Sequence, residues 1–129
     1  MEYRLDQVEK LCSENGLGCV RVEANQVDVF LGKDFVLSFS NLPKENDTLL
    51  AFKTTPWHAH GVVQFMTGDG TYVECDELDV LIGLITGELV VVSDFANGEL
   101  RDRWIAHKNE KMDVCYLEPG VELVVSRLP

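Results

Sequence analysis

The sequence predicts an α+β domain, built on a mainly antiparallel twisted sheet or a small partly open barrel, with an N-terminal helix and one further short helix. Three observations favour this class. Apolar residues recur at helical spacing near the start of the chain and again over 77–86, whereas most other segments alternate with period two. Tight-turn sequences join successive alternating segments, as in antiparallel hairpins. The 129 residues contain no repeat or linker, so residues 1–129 are expected to form a single globular domain.

The N-terminal helix is predicted over residues 3–14. Its apolar stripe consists of Leu5, Val8, Leu11 and Cys12, which fall on one face at helical spacing. The dipeptide Asn15-Gly16 follows, and glycine or asparagine is the usual left-handed end of a helix.

Three short strands are predicted next, because the period changes to two after Gly16. The expected inward residues are Val20, Val22 and Ala24 in the first strand, Val27, Val29 and Leu31 in the second, and Phe35, Leu37 and Phe39 in the third. Asn25-Gln26 and Gly32-Lys33-Asp34 supply the turns. This pattern predicts an antiparallel meander with one face on the core.

The middle of the chain is less regular. Residues 41–48 are polar and predict a surface loop, Leu49–Lys53 predicts a short strand, and Val62–Met66 and Thr71–Asp76 predict a hairpin. Residues 77–86 fit either a helix or a strand and are apolar on both faces, so the segment is expected to be deeply buried. The helix is favoured, because Asp76 can cap its start and Gly87 can end it.

The last third predicts strands again. Leu89–Phe95 is almost entirely apolar, which is typical of a central strand covered on both faces. Asn97-Gly98 predicts a tight turn into Leu100–His107. A final hairpin is predicted from Val114–Leu117 and Val121–Ser126.

The net charge of the chain argues against functions that require binding to nucleic acid. Acidic residues number 22 and basic residues 11, which gives a formal charge of −11. Such a surface repels phosphate backbones, so we expect no nucleic-acid partner. Neither a signal peptide nor an apolar run long enough to cross a membrane is evident, so we expect a cytoplasmic protein without membrane contact.

One cluster suggests metal chemistry. His58 and His60 would project to the same side of an extended chain, which suits two ligands of one metal ion. A third ligand would come from His107, or from Glu74, Cys75 or Asp76 on the neighbouring predicted strand. Zinc or another divalent metal would fit such a set. Motifs for serine or cysteine nucleophiles and for phosphate loops are missing, so this cluster is the sequence's only indication of an enzyme.

The acidic excess indicates instead a protein-binding function. Tyr72 is expected to share an exposed strand face with Glu74 and Asp76, opposite Val73 and Cys75. The predicted surface for a basic protein or peptide consists of Tyr72, Glu74, Asp76, Glu77 and Asp79, with Trp57 as a further aromatic anchor. Neutralising its four carboxylates is expected to slow association and to leave stability nearly unchanged.

The leading hypothesis from the sequence is therefore a non-enzymatic, cytosolic binding domain without a cofactor. In size, charge and lack of catalytic motifs, the chain resembles the small acidic immunity proteins that inhibit bacterial toxins. The alternative is a small metal-binding protein or metal-dependent enzyme that uses His58 and His60. A homodimer is also considered, in which the apolar run Leu89–Val92 lies at a sheet edge and pairs with a second copy.

Overall fold

The computed structural model of this chain describes residues 2–111 and 118–128. In chain order the elements are α1 (Leu5–Glu14), β1 (Gly18–Glu23), β2 (Gln26–Gly32), β3 (Phe35–Leu42), β4 (Asp47–Phe52), β5 (His58–Ala59), β6 (Val63–Met66), β7 (Tyr72–Cys75), α2 (Glu77–Thr86), β8 (Leu89–Ala96), β9 (Glu99–His107) and β10 (Val121–Ser126). The predicted α+β class with two helices is confirmed, and the described strands form three antiparallel sheets without a closed barrel. The predicted strand Val114–Leu117 lies outside the described residues.

Strands β1 to β5 form a sheet whose strand order equals their order in the chain. This confirms the predicted meander and extends it by two strands. The inner face carries the largest fully buried side chains of the sheet, among them Val27, Leu37, Phe39 and Leu50. Helix α1 covers this face with Leu5, Val8 and Cys12 of its predicted stripe.

The predicted face of β1 is wrong. Val20 and Val22 are exposed, whereas Cys19 packs against the core. Arg21 lies on the same side as Cys19, and its guanidinium binds the carboxylates of Asp6 and Glu9 on α1. Helix α1 therefore supplies partners for a charged side chain on the covered face, and the valines take the outer face.

The outer face of the same sheet buries one carboxylate. Asp28 is only 3% exposed and accepts hydrogen bonds from Gln26 (2.9 Å), Ser38 (2.6 Å) and Lys53 (2.8 Å). Burial alone would raise its pKa, but the bonds from Lys53, Ser38 and Gln26 outweigh burial and hold the pKa below the usual aspartate value. The ion pair with Lys53 is thus the main compensation for a buried charge.

The predicted loop over residues 41–48 is shorter than expected. Strand β3 runs to Leu42 and β4 starts at Asp47, so only residues 43–46 form the turn. The Asn41 side chain is buried, and both of its polar atoms have partners in the Tyr3 backbone. Its Oδ1 accepts from the Tyr3 N–H (2.6 Å), and its Nδ2 donates to the Tyr3 carbonyl (3.0 Å). Asn41 belongs to a polar stretch that predicts a loop, but in the structure it fixes the N-terminal segment to the sheet.

The predicted hairpin of β6 and β7 is confirmed, and the ambiguous segment 77–86 is a helix. Asp76 caps α2 by accepting from the Asp79 N–H (2.8 Å), and the Asp79 side chain accepts from the Asp76 N–H (3.1 Å). This reciprocal pair is a capping box. Gly87 ends the helix with a φ of 84°, in the left-handed region.

The third sheet has the strand order β10-β8-β9. β8 is central, as predicted, and turns into β9 through Asn97 and Gly98, whose φ angles are 52° and 83°. Strand β9 pairs with β8 from Leu89 onward, whereas β10 pairs with β8 from Val91 to Ala96. Among the described residues, Val91 and Val92 therefore have a strand on both edges, and Leu89 and Val90 have one on the β9 side. The homodimer stays a prediction.

One large core connects the elements, with β8, α2 and the inner face of the meander contributing to the same cluster. A smaller cluster of Val90, Val92 and Ala106 lies apart from it. Among the described residues, no helix combines the length and apolarity that crossing a bilayer requires.

Candidate functional site

The exposed face of the β6–β7 hairpin carries part of the predicted binding surface. Tyr72 is 53% exposed and lies opposite Met66, which is 48% exposed. Glu74 is the next residue on this face and accepts a weak hydrogen bond from Gln64 opposite it (3.4 Å). On the other face Cys75 is buried, as predicted, but Val73 is 39% exposed, so that face is covered only at its Cys75 end. The hairpin therefore presents two large apolar side chains directly beside a carboxylate.

Asp69 in the hairpin turn adds a second carboxylate that the sequence reasoning did not select. Its Oδ1 accepts from the hydroxyls of Thr67 (2.7 Å) and Thr71 (2.6 Å) and from the Thr71 N–H (3.1 Å). These bonds, chiefly those from the Thr71 and Thr67 side chains, lower the pKa of Asp69 to about 2. The side chain is therefore ionised and fixed. Threonines on both sides of a Gly-Asp-Gly turn are the signal that could have identified it.

Asp76 and Asp79 continue the acidic surface beyond β7, but they also stabilise the start of α2. Both belong to the α2 capping box, and Asp76 accepts from Arg4 Nη2 (2.9 Å). Burial would raise the pKa of Asp76, yet the Asp79 N–H and Arg4 lower it overall. Neutralising either aspartate would therefore weaken the helix cap, contrary to the expectation that stability stays unchanged.

Glu77 does not lie on the predicted surface. Its side chain is only 3% exposed, and Oε1 accepts from Nη2 (2.7 Å) and Nε (3.2 Å) of Arg4. The Arg4 backbone N–H adds a bond to Oε2 (3.3 Å). Glu77 ties the segment before α1 to the first turn of α2, and this burial leaves it unable to contact a partner.

A groove of about 250 Å³ lies between the hairpin, α2 and the start of β8. Its apolar wall includes Ile82, which is 45% exposed, although the sequence predicts deep burial for this segment. Asp79 and Glu88 lie on the lining. Glu88 binds Lys108 (2.8 Å), which lowers the Glu88 pKa. A helix that is apolar on every side is normally buried all round, so the prediction of deep burial is wrong for the face of α2 that carries Ile82.

Trp57 lies elsewhere, before β5 at an edge of the five-stranded sheet. It is half-buried, and its ring packs against Phe52 with centroids 6.0 Å apart. The Trp57 backbone N–H donates to Asp102 Oδ1 (3.0 Å). These contacts belong to the core rather than to the hairpin face.

The structure brings two of the three predicted histidine ligands together. The rings of His58 and His60 lie 5.2 Å apart, between centroids. His58 Nδ1 is 3.1 Å from the Pro56 carbonyl oxygen and His60 Nδ1 is 2.6 Å from that of Thr48. Since a carbonyl oxygen only accepts, both Nδ1 atoms donate, and Nε2 is the atom left for a ligand.

His107 is not part of this pair. It lines the groove beside α2, where its Nδ1 accepts from the Asn109 N–H (3.1 Å) and its Nε2 is 3.5 Å from Glu88. Across residues 2–111 and 118–128, no three side chains of histidine, cysteine, aspartate or glutamate are grouped closely enough to hold a metal ion. The predicted set of His58, His60 and His107 is therefore not assembled.

The site thus consists of acidic and apolar side chains arranged along the hairpin and the start of α2. No protein-family model, curated protein or solved structure gives a significant match to this chain.

Proposed function

We propose that this chain is a protein-binding domain that docks a basic segment of a partner on its β6–β7 hairpin. The proposed contact residues, which we name the docking stripe, are Asp69, Met66, Tyr72, Glu74, Asp76 and Asp79. The observation that carries the proposal is the direct neighbourhood of exposed Tyr72 and Met66 with the Glu74 carboxylate. Inhibition of a toxin in the manner of immunity proteins would be one use of such a surface.

Charge and geometry support a basic occupant. Carboxylates lie at both ends of the Met66–Tyr72 pair, with Asp69 in the turn and Glu74 two cross-strand pairs further along, in the next pair on the same face. Lysine or arginine side chains that flank one apolar residue would match this order. The overall charge of −11 would speed the approach of a cationic partner and repel an anionic one.

The test is a titration of the labelled protein with a synthetic peptide of alternating lysine and leucine, followed by NMR of the backbone amides. We expect saturable shifts on the docking stripe and weaker binding as salt is added. A peptide of alternating glutamate and leucine is expected to give no such shifts. Shifts that map mainly outside the stripe would contradict the proposal.

Two charge-reversal variants distinguish direct contact at the docking stripe from long-range attraction by the net charge of the protein. Glu74→Lys should weaken binding of the lysine–leucine peptide by about tenfold or more, since it places a like charge at the contact. Glu45→Lys, in the exposed turn between β3 and β4, makes the same change in net charge away from the stripe and serves as the control. Equal weakening by both variants would mean that only long-range charge acts, and the docking stripe would be rejected.

The histidine pair supports a second candidate, a metal-binding protein or metal-dependent enzyme. Its favourable observation is the 5.2 Å separation of the two rings. Elemental analysis of protein purified without chelator tests it. About one equivalent of zinc that is lost in both His58→Ala and His60→Ala would support a metal site. Metal-free protein, or metal retained in both variants, would reject it.

A further inference from the structure

A second cavity, of about 310 Å³, lies on a different part of the molecule from the docking stripe. It is formed by the turn between β2 and β3, the end of β4 and the middle of β9. Its lining residues are Asp34, Val36, Phe52, Lys53, Thr54 and Arg103. The cavity thus combines two basic side chains with apolar walls, in a chain that is acidic overall.

Arg103 is the unusual member of this lining, because it is only 4% exposed. Its Nε donates to Ser93 Oγ (2.9 Å), and its Nη1 donates to the Asp34 carbonyl (3.0 Å). The guanidinium also lies over the Phe35 ring, 4.1 Å from the centroid. A guanidinium has five N–H groups, so three find no acceptor among the described residues.

The charge of Arg103 also lacks a direct counter-ion. Within the described part of the chain, no carboxylate lies within 4.0 Å of its guanidinium nitrogens. Burial lowers the pKa of Arg103, and the more distant Asp34 carboxylate offsets this only in part. A buried charge without a counter-ion is costly, and an anion in the cavity would reduce that cost.

We propose that this cavity binds a small organic carboxylate, whose carboxylate group lies on the Arg103 guanidinium and whose apolar part lies against Val36 and Phe52. The volume is at the lower end of the range for small-molecule sites. The planar fork of arginine suits a carboxylate, with two parallel N–H···O bonds. This inference does not depend on the docking stripe, since the two share no residue.

The surroundings favour a monoanion over a doubly charged phosphate ester. Lys53, the other base in the lining, already pairs with Asp28 (2.8 Å). Asp34 is exposed on the lining and would repel a second negative charge, as would the net charge of the chain. Of the two basic side chains in the lining, Arg103 is therefore the one whose charge is not already paired with a carboxylate and can bind a ligand.

The experiment is a titration with sodium benzoate, monitored by NMR at the Arg103 Nε–H and the backbone amides. Benzamide serves as the neutral analogue and phenyl phosphate as the dianion. We expect saturable binding of benzoate, with the Arg103 Nε–H among the shifted signals, and binding at least about tenfold weaker for benzamide. Benzamide binding as tight as benzoate would overturn the proposal, and tighter binding of phenyl phosphate would overturn the assignment to a carboxylate.

Three variants complete the test. Arg103→Met should weaken benzoate binding by about tenfold or more, whereas Arg101→Met, at an exposed arginine of the same strand that binds Asp94, should leave it unchanged. Thr54→Trp fills the cavity from its exposed rim, keeps Arg103, and should also abolish binding. Thr54→Trp decides the question if Arg103→Met does not fold. Wild-type affinity in either Arg103→Met or Thr54→Trp would overturn the site.

Discussion

Replacing Lys53 by methionine is expected to lower the free energy of unfolding by about 2–3 kcal/mol at neutral pH. The substitution removes the ammonium group that binds Asp28 Oδ2 (2.8 Å) and leaves a carboxylate that is 3% exposed without a counter-ion. Ser38 and Gln26 still donate to Oδ1, which keeps the loss below that of a fully isolated buried charge. Urea denaturation of both proteins measures the difference.

The same substitution should make stability depend on pH in a defined direction. In the native protein the Asp28 pKa is lowered, so the carboxylate stabilises the fold above the unfolded pKa, and that contribution is lost as pH falls through the folded pKa. Without Lys53, only the bonds from Ser38 and Gln26 oppose the effect of burial, so we expect the Asp28 pKa to rise. The variant would then take up a proton on acidification, and its deficit should shrink between pH 7 and about pH 4.

Lys33→Met is the matched control, because Lys33 is exposed in the turn between β2 and β3 and its loss changes the net charge equally. We expect this control to lie within about 0.5 kcal/mol of the native protein. A deficit in Lys53→Met that stays constant from pH 7 to about pH 4 would show that Asp28 is not its source.

Gly83→Ala is expected to destabilise the protein by about 1–3 kcal/mol, although alanine normally favours a helix over glycine by about 1 kcal/mol. A Cβ at position 83 would lie 2.6 Å from Cγ and 2.7 Å from Cδ1 of Leu89, which is buried in the core. Helix α2 and β8 approach each other so closely that only a glycine fits between them. Thermal or urea denaturation tests the sign of the effect.

A double-mutant cycle identifies the cause. In a Leu89→Ala background the atoms that would clash are absent, so Gly83→Ala should cost much less or become stabilising. A cost for Gly83→Ala that is the same in both backgrounds would contradict the close approach to Leu89 as its origin.

Local sequence predicted most elements of this fold, because their signals lie within a few residues. The Asn97-Gly98 turn and the Asp76 cap of α2 each depend on local backbone geometry. The prediction of which face of β1 is buried was wrong for a physical reason. Alternation of apolar and polar residues along a strand does not by itself show which face of the strand is covered. For β1 the covered face is set by the contact between Arg21 and α1, which joins two separate elements.

The candidate site was only partly predictable for a similar reason. Strand alternation alone predicted the exposed face with Tyr72 and Glu74, but it also predicted burial for Val73, which is exposed. The burial of Glu77 depends on Arg4, which is 73 residues away in the chain. Arg103 and the cavity around it depend on three separate elements, and no spacing within the sequence indicates their meeting.

The agreement between strand order and chain order in the five-stranded sheet has a consequence for how the protein assembles. Strands β1 to β4 are joined by short turns, so each pairing closes a small loop and costs little chain entropy. Contacts that are local in sequence favour rapid formation. The segment before α1 reaches Asn41 and Glu77 across 38 and 73 residues, and its docking requires both β3 and α2. We therefore expect the meander to form early and the N-terminal segment to close over it late.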